Sequence, residues 1–177
     1  MIYKKIILAF SVLTIFISCK KEGSHDSDLP EKPVELFKVG LDLVIQKDDS
    51  LQVFYKDIAD KDWKSYNSVT NFVKGSPVVQ QVLFKLPEDV VPKEIRIDFG
   101  TNIDQAPIEI RNFKMEYIKK TFQAKDTMFF QYFMPNDQIQ YSRNTAIAKP
   151  IYKKGTTYDP LFLPREVLLV EIDKLLK

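Results

Sequence analysis

Five apolar side chains, Phe37, Val39, Leu41, Leu43 and Ile45, fall on every second position, with Lys38, Gly40, Asp42, Val44 and Gln46 between them. A period of two places one set on each face of an extended chain; a helix would scatter the same residues around its circumference. The segment is therefore a half-buried β-strand. The period returns in Leu51, Val53 and Tyr55, in Val82, Phe84 and Leu86 before Pro87, and in Ile95, Ile97 and Phe99 before Gly100. Lys47-Asp48-Asp49-Ser50 reads as a turn, which makes the first two strands a candidate hairpin. Residues 57–68 are polar and read as a loop, and Val69 to Val73 as a short strand closed by Gly75-Ser76-Pro77.

Further along, Ile108 and Ile110 share one phase while Phe113, Met115 and Tyr117 share the other. A one-residue slip exchanges the faces of a strand, so the spacing predicts a β-bulge or a break at Arg111-Asn112. Short strands with turns about every dozen residues define a mainly β chain folded as an antiparallel β-sandwich over residues 34–177. A domain of this size buries roughly 70% of its unfolded surface and needs no disulfides.

The C-terminal third departs from the two-residue period and predicts one or two short helices. Met128, Phe129, Tyr132 and Phe133 sit at helical spacing after Asp126, a candidate N-cap, and stop at Pro135. Ile139 and Tyr141 suggest one more strand. Leu168, Leu169, Ile172, Leu175 and Leu176 form a helical stripe within residues 165–176; a strand through Val167, Leu169 and Glu171 is the rival reading and fits less well.

The N-terminus obeys other rules. Lys4 and Lys5 precede an apolar run from Ile6 to Ile17, followed by Ser18, Cys19, Lys20 and Lys21. Twelve helical residues rise about 18 Å, short of the ~30 Å hydrocarbon core, so the run is a signal-peptide segment and not a spanning helix. Cys19 is the only cysteine and so has no internal disulfide partner. The segment Phe16-Ile17-Ser18-Cys19 resembles the lipobox of bacterial lipoproteins, with Phe16 where leucine is commonest. The resemblance implies cleavage of residues 1–18, lipid on the Cys19 sulfur, and anchoring to the outer membrane of the cell envelope. Residues 19–33 are polar, carry Gly, Ser, Asp and Pro, and read as a flexible tether. Within it, Lys20-Lys21-Glu22 with Asp26 and Asp28 resembles the charged segment linked to surface export in Bacteroidota lipoproteins; a solvated spacer is the alternative.

Cleavage also resets the charge. The full chain has 26 basic and 24 acidic residues, but residues 1–18 hold two lysines and no acid, so the remainder is neutral. Without a basic excess, nucleic acid is not an expected partner.

The catalytic toolkit is sparse. The sole histidine, His25, lies in the tether, which removes Ser-His-Asp triads, Cys-His pairs and histidine zinc sites from the domain. Five glycines leave no phosphate-cradling loop, and no cofactor is expected. Asp57, Asp60 and Asp62 share one loop and offer oxygens to a hard cation, but no glycine or closing glutamate follows at EF-hand spacing. They read as a solvated loop, and no metal is expected. Trp63 and Tyr66 follow in that loop; aromatics there either stack on sugar faces or, for Trp63, fold back over an end of the sandwich. Arg96 and Asp98 project opposite Ile95 and Ile97 and offer donors and acceptors to sugar hydroxyls, joined by Asn102, Asp104 and Gln105 in the next loop. A solvated sheet face with cross-strand ion pairs is the alternative.

Leu51-Gln52-Val53-Phe54-Tyr55, the run from Glu94 to Asn102, the run from Phe129 to Asn136 and Tyr158-Asp159-Pro160 resemble a jelly-roll module of Bacteroidota lipoproteins. That resemblance implies a sandwich similar to carbohydrate-binding modules and carries over no catalytic residue. The sequence thus predicts a lipid-anchored, non-catalytic envelope protein that binds carbohydrate or a glycan-bearing partner. Its rival is an assembly subunit of an envelope complex, and a small two-carboxylate glycosidase is the third reading.

Overall fold

The computed structural model describes residues 35–177; the expected signal peptide, Cys19 and the tether through residue 33 lie outside them. Among these residues, eleven strands form two antiparallel sheets. The first holds β1 (Lys38–Val44), β4 (Gln80–Lys85), β6 (Ile108–Tyr117), β7 (Lys120–Lys125), β9 (Ile139–Ser142) and β10 (Ile147–Pro150), in the order β4-β1-β6-β10-β9 with β7 also paired to β6. The second holds β2 (Asp49–Lys56), β3 (Ser68–Val73), β5 (Glu94–Asp98), β8 (Phe133–Pro135) and β11 (Leu161–Pro164), in the order β3-β2-β5-β11-β8. The sandwich expected from the alternating pattern is therefore present. Val39, Leu41 and Leu43 of β1 and Leu51, Val53 and Tyr55 of β2 are all buried in one core, which joins the two sheets.

The predicted bulge is present. Leu43 pairs with Ile110 and Asp42 with Asn112, so Arg111 is skipped in the ladder. The skip brings Ile108 and Ile110 onto the same buried face as Phe113 and Met115, although the two pairs are out of phase in sequence.

The hairpin expected across Lys47–Ser50 does not form. β1 pairs with β4 and β6, whereas β2 pairs with β3 and β5, so residues 45–48 cross from one sheet to the other. Competing partners hold this corner open. Ser76 N donates to Ile45 O (2.7 Å), and the Gln105 amide bonds both the N–H and the carbonyl of Lys47.

Helix α1 (Phe129–Tyr132) is a single turn that follows a 3-10 turn at Asp126–Met128. Asp126 does not cap it: its own φ is +48° and no side-chain bond closes the helix start. Helix α2 (Glu166–Leu176) buries Leu168, Ile172 and Leu175 of the stripe read from the sequence, leaves Leu169 and Leu176 half-buried, and packs against α1, β5, β6 and β7. The strand alternative for this segment is thereby excluded. Between the helices and sheets lies a run of rings. Phe99 meets Phe162 at 5.0 Å, Phe162 meets Phe129 at 5.1 Å, Phe129 stacks on Phe133 at 4.7 Å and Phe133 meets Phe113 edge-on at 4.9 Å. Each such pair contributes about 0.5–1.5 kcal/mol beyond the area it buries. This column packs α1 against the core.

Candidate functional site

Alternation on β2 and β5 sends Leu51, Val53, Tyr55, Ile95 and Ile97 inward, and therefore Gln52, Phe54, Lys56, Glu94, Arg96 and Asp98 outward. The register places them in three facing pairs: Gln52 with Asp98, Phe54 with Arg96, and Lys56 with Glu94. Arg96 lies at the centre. Its Nε donates to Asp98 Oδ1 (2.7 Å) and its Nη2 to Asp98 Oδ2 (2.5 Å), a two-pronged pair along one strand. Its guanidinium lies 4.1 Å from the Phe54 ring centre, which explains how Phe54 is buried on an outward position. Burial pushes the Asp98 carboxyl above the usual carboxylate range, with Asp159 adding to the rise, while the Arg96 guanidinium opposes it.

The 57–67 loop folds back onto this face. Trp63, half-buried, receives Lys56 Nζ 4.5 Å from its ring centre and the Arg96 guanidinium at 5.7 Å. Trp63 folds back, but onto the outer face of the second sheet rather than over an end of the sandwich. Tyr66 stands at the loop surface, 73% exposed. The three loop aspartates do not converge. Asp60 accepts from the Lys64 ammonium, from Asn67 Nδ2 (2.9 Å) and from the Asp57 N–H (3.2 Å), and the Lys64 bond is the main cause holding its carboxyl below the usual range. Asp57 turns its own Oδ1 to the Ile58 N–H (2.6 Å). Among the described residues no cluster of three potential ligands forms, around Asp62 or elsewhere.

Asn102 and Gln105 serve a different centre, the buried carboxylate of Asp49. Asp49 Oδ1 accepts from the N–H groups of Ser50 (2.9 Å), Thr101 (2.7 Å) and Asn102 (3.1 Å), and Oδ2 from Gln105 Nε2 (3.0 Å). Asn102 Nδ2 donates to Asp48 O, and Asn102 Oδ1 accepts from the Asp104 N–H. The Tyr158 hydroxyl donates to Asn102 O (3.1 Å) and is pushed up to about 12, by burial first and then by the Asp49 charge. Asp104 itself is exposed. These contacts bind the 100–106 loop to the sheet crossing at 47–49 and occupy the polar atoms that Asn102 and Gln105 would offer a ligand.

The structure thus gathers Trp63, Arg96 and Asp98 on one face with Tyr66 on the loop above, and sets Asn102, Asp104 and Gln105 in a separate structural loop. It adds Phe54, Lys56, Gln52 and Glu94 to the face. Their signal was available: each holds an outward position on a strand whose inward set was already clear. No helix among the described residues is long and apolar enough to cross a membrane. No protein-family model, curated protein or solved structure matches the chain.

Proposed function

We propose that the chain is a lipid-anchored protein of the bacterial cell envelope, tethered through Cys19 at the outer membrane. Its sandwich binds carbohydrate or a glycan-bearing partner without performing chemistry on it. The observation that carries the sugar reading is the outer face of the second sheet, where the Trp63 ring lies against the paired charges of Lys56, Glu94, Arg96 and Asp98, and Tyr66 stands exposed on the same loop. Sugar rings present C–H-rich faces to aromatic planes and hydroxyls to such polar groups, so one surface meets both demands. Asp98 is committed in both oxygens to Arg96, an arrangement that suits positioning rather than proton transfer. The lipobox resemblance supports the anchor. The test is a glycan array probed with the full chain and with its Trp63→Ala and Tyr66→Ala variants. Retention of a glycan by the parent and its loss in Trp63→Ala supports the reading; no retained glycan, or equal retention by the variant, refutes it.

A specific observation favours the assembly reading as the second. β3 and β4 are the outer strands at neighbouring edges of the two sheets, bridged by Asn71 Nδ2 to Leu83 O (3.0 Å), and Phe72, Val78, Val79 and Leu83 are all exposed there. Apolar side chains beside open strand edges suit a protein neighbour. Purification of one stoichiometric envelope protein with the parent but not with Phe72→Asp, and with no glycan retained, would replace the first reading by this one.

A further inference from the structure

The chain has four arginines. Two are paired with acids: Arg96 with Asp98, and Arg111 with Glu109 (2.8 Å). The other two, Arg143 and Arg165, come from different parts of the fold and line one cleft of about 350 Å³, together with Thr127, Phe130 and Gln131. Arg143 belongs to the turn between β9 and β10, and Arg165 immediately precedes α2. Neither forms an ion pair among the described residues, and no acid lines the cleft. The neighbouring Glu166 is exposed and is not part of the lining.

Arg165 is held in place before any ligand arrives. Its Nε donates to Phe133 O (3.2 Å) and its backbone N–H to Tyr132 O (2.8 Å), which leaves the terminal guanidinium nitrogens as the free donors. Thr127 and Gln131 stand four residues apart on the 3-10 turn and α1, and bring a hydroxyl and an amide to the same cleft. Phe130, 3% exposed, forms its apolar part, with its ring fixed 4.9 Å from that of Tyr141. Two unpaired guanidiniums facing one space repel each other, and a planar or tetrahedral oxyanion relieves that repulsion while accepting two-pronged hydrogen bonds. The volume lies in the range of small-ligand pockets, about 300–1,000 Å³.

We propose that this cleft binds an oxyanion group, carboxylate or sulfate, carried on a sugar: a uronate or a sulfated residue. The oxyanion half of the proposal stands on the two arginines; its carriage by a sugar rests on the glycan-binding reading, at a place separate from the Trp63 face. The cleft supplies the charge recognition, and Thr127 and Gln131 supply hydrogen bonds to ring hydroxyls.

The test is calorimetric titration of the full chain with trigalacturonate against its methyl ester, and with dextran sulfate against dextran. The first pair reads the carboxylate and the second the sulfate. Binding of either acidic form, with its neutral counterpart roughly tenfold weaker or more, supports the proposal. Arg143→Gln and Arg165→Gln should each lose a similar factor, and the preference should shrink as salt is raised. Arg143 sits in an exposed turn, so its variant keeps the fold, which the thermal transition checks. Hydrogen exchange should slow across residues 127–131 on binding. Equal affinity for charged and neutral forms, or an unaltered Arg143→Gln, overturns the proposal. Neutral sugar bound through Trp63 with no gain from charge overturns it while leaving the glycan reading intact. Inorganic sulfate bound with no sugar bound at all overturns the sugar carriage and the glycan reading together.

Discussion

Asp49 is the residue whose replacement the structure prices most directly. Its carboxylate is 4% exposed and takes four hydrogen bonds, three of them from residues more than fifty positions away. Hydrogen bonds to a charged group each contribute about 1.5–3 kcal/mol net, and donors left buried without a partner add about 1–3 kcal/mol. Asp49→Ala strands the Thr101 and Asn102 N–H groups and the Gln105 amide, but the loop is only partly buried and water recovers some of the loss. The expected destabilisation is about 3–5 kcal/mol, against a typical domain stability of roughly 5–15 kcal/mol. Asp49→Asn keeps an oxygen for the backbone donors but turns an NH2 toward the Gln105 NH2, and should lose a smaller share, about 1–3 kcal/mol. With a urea slope of about 2 kcal/mol per molar, Asp49→Ala should move the midpoint down by roughly 1.5–2.5 M. Urea unfolding followed by circular dichroism reads this directly. A shift in Asp49→Ala equal to or below that of Asp49→Asn would show that the carboxylate does not hold the 100–106 loop to the sheet crossing.

Gly100 has a φ of +78°, and a Cβ there would collide with the Asp49 carboxylate, so Gly100→Ala should unfold at lower urea in the same assay; an unchanged midpoint would contradict the cradle. Arg96→Ala leaves the Asp98 carboxylate buried without its partner and should cost about 2–3 kcal/mol near neutral pH. Asp98 already titrates above its usual range, and losing Arg96 raises it further; because a raised carboxyl favours the fold below its ordinary pKa and loses that contribution as pH rises, the Arg96→Ala penalty should shrink toward pH 3, and a pH-independent penalty would refute the coupling. Tyr158 should titrate near 12 by ultraviolet absorbance. Its phenol stabilises the fold fully below the ordinary value near 10 and loses that contribution up to 12, so Tyr158→Phe should lose about 1 kcal/mol at neutral pH and show a flatter alkaline decline. Cys19→Ala should release the protein from the membrane fraction on cell fractionation; continued sedimentation with membranes would refute lipid anchoring at that position.

Strands with a strict two-residue period were legible because period fixes face, and face fixes burial. The bulge at Arg111 was legible for the same reason, as a change of phase within one strand. β7 was not. It returns from β6 through Ile118 and Lys119, both at positive φ (39° and 64°), a geometry usually signalled by Asn-Gly or Asp-Gly and here occupied by a β-branched residue and a lysine. The crossing at 45–48 failed as a hairpin because its partners, Ser76 and Gln105, are remote in sequence. The candidate face was half legible. Arg96 and Asp98 follow from alternation, but their pairing along one strand and the return of Trp63 over them depend on where a long loop lands. Nothing in sequence joins Arg143 to Arg165, because the cleft exists only once α1 fills the space between a turn and a helix start.

β6 divides its flank between two neighbours. Six positions, Asn112 to Tyr117, are held by β7, while the β9–β10 arm is attached at Ile108 and Glu109 and by the Ile110 N–H to Ala146 O (2.9 Å). The fork at the bulge lets the β9–β10 arm fray as a unit of its own while the remainder of the sheet stays zipped. Arg143 rides on that arm and Arg165 on the opposite wall, so the spacing of the two side chains depends on a seam only two register pairs long. A guest that bridges them would act as a staple, tightening amide protection along Ile139–Pro150 well beyond the atoms it touches.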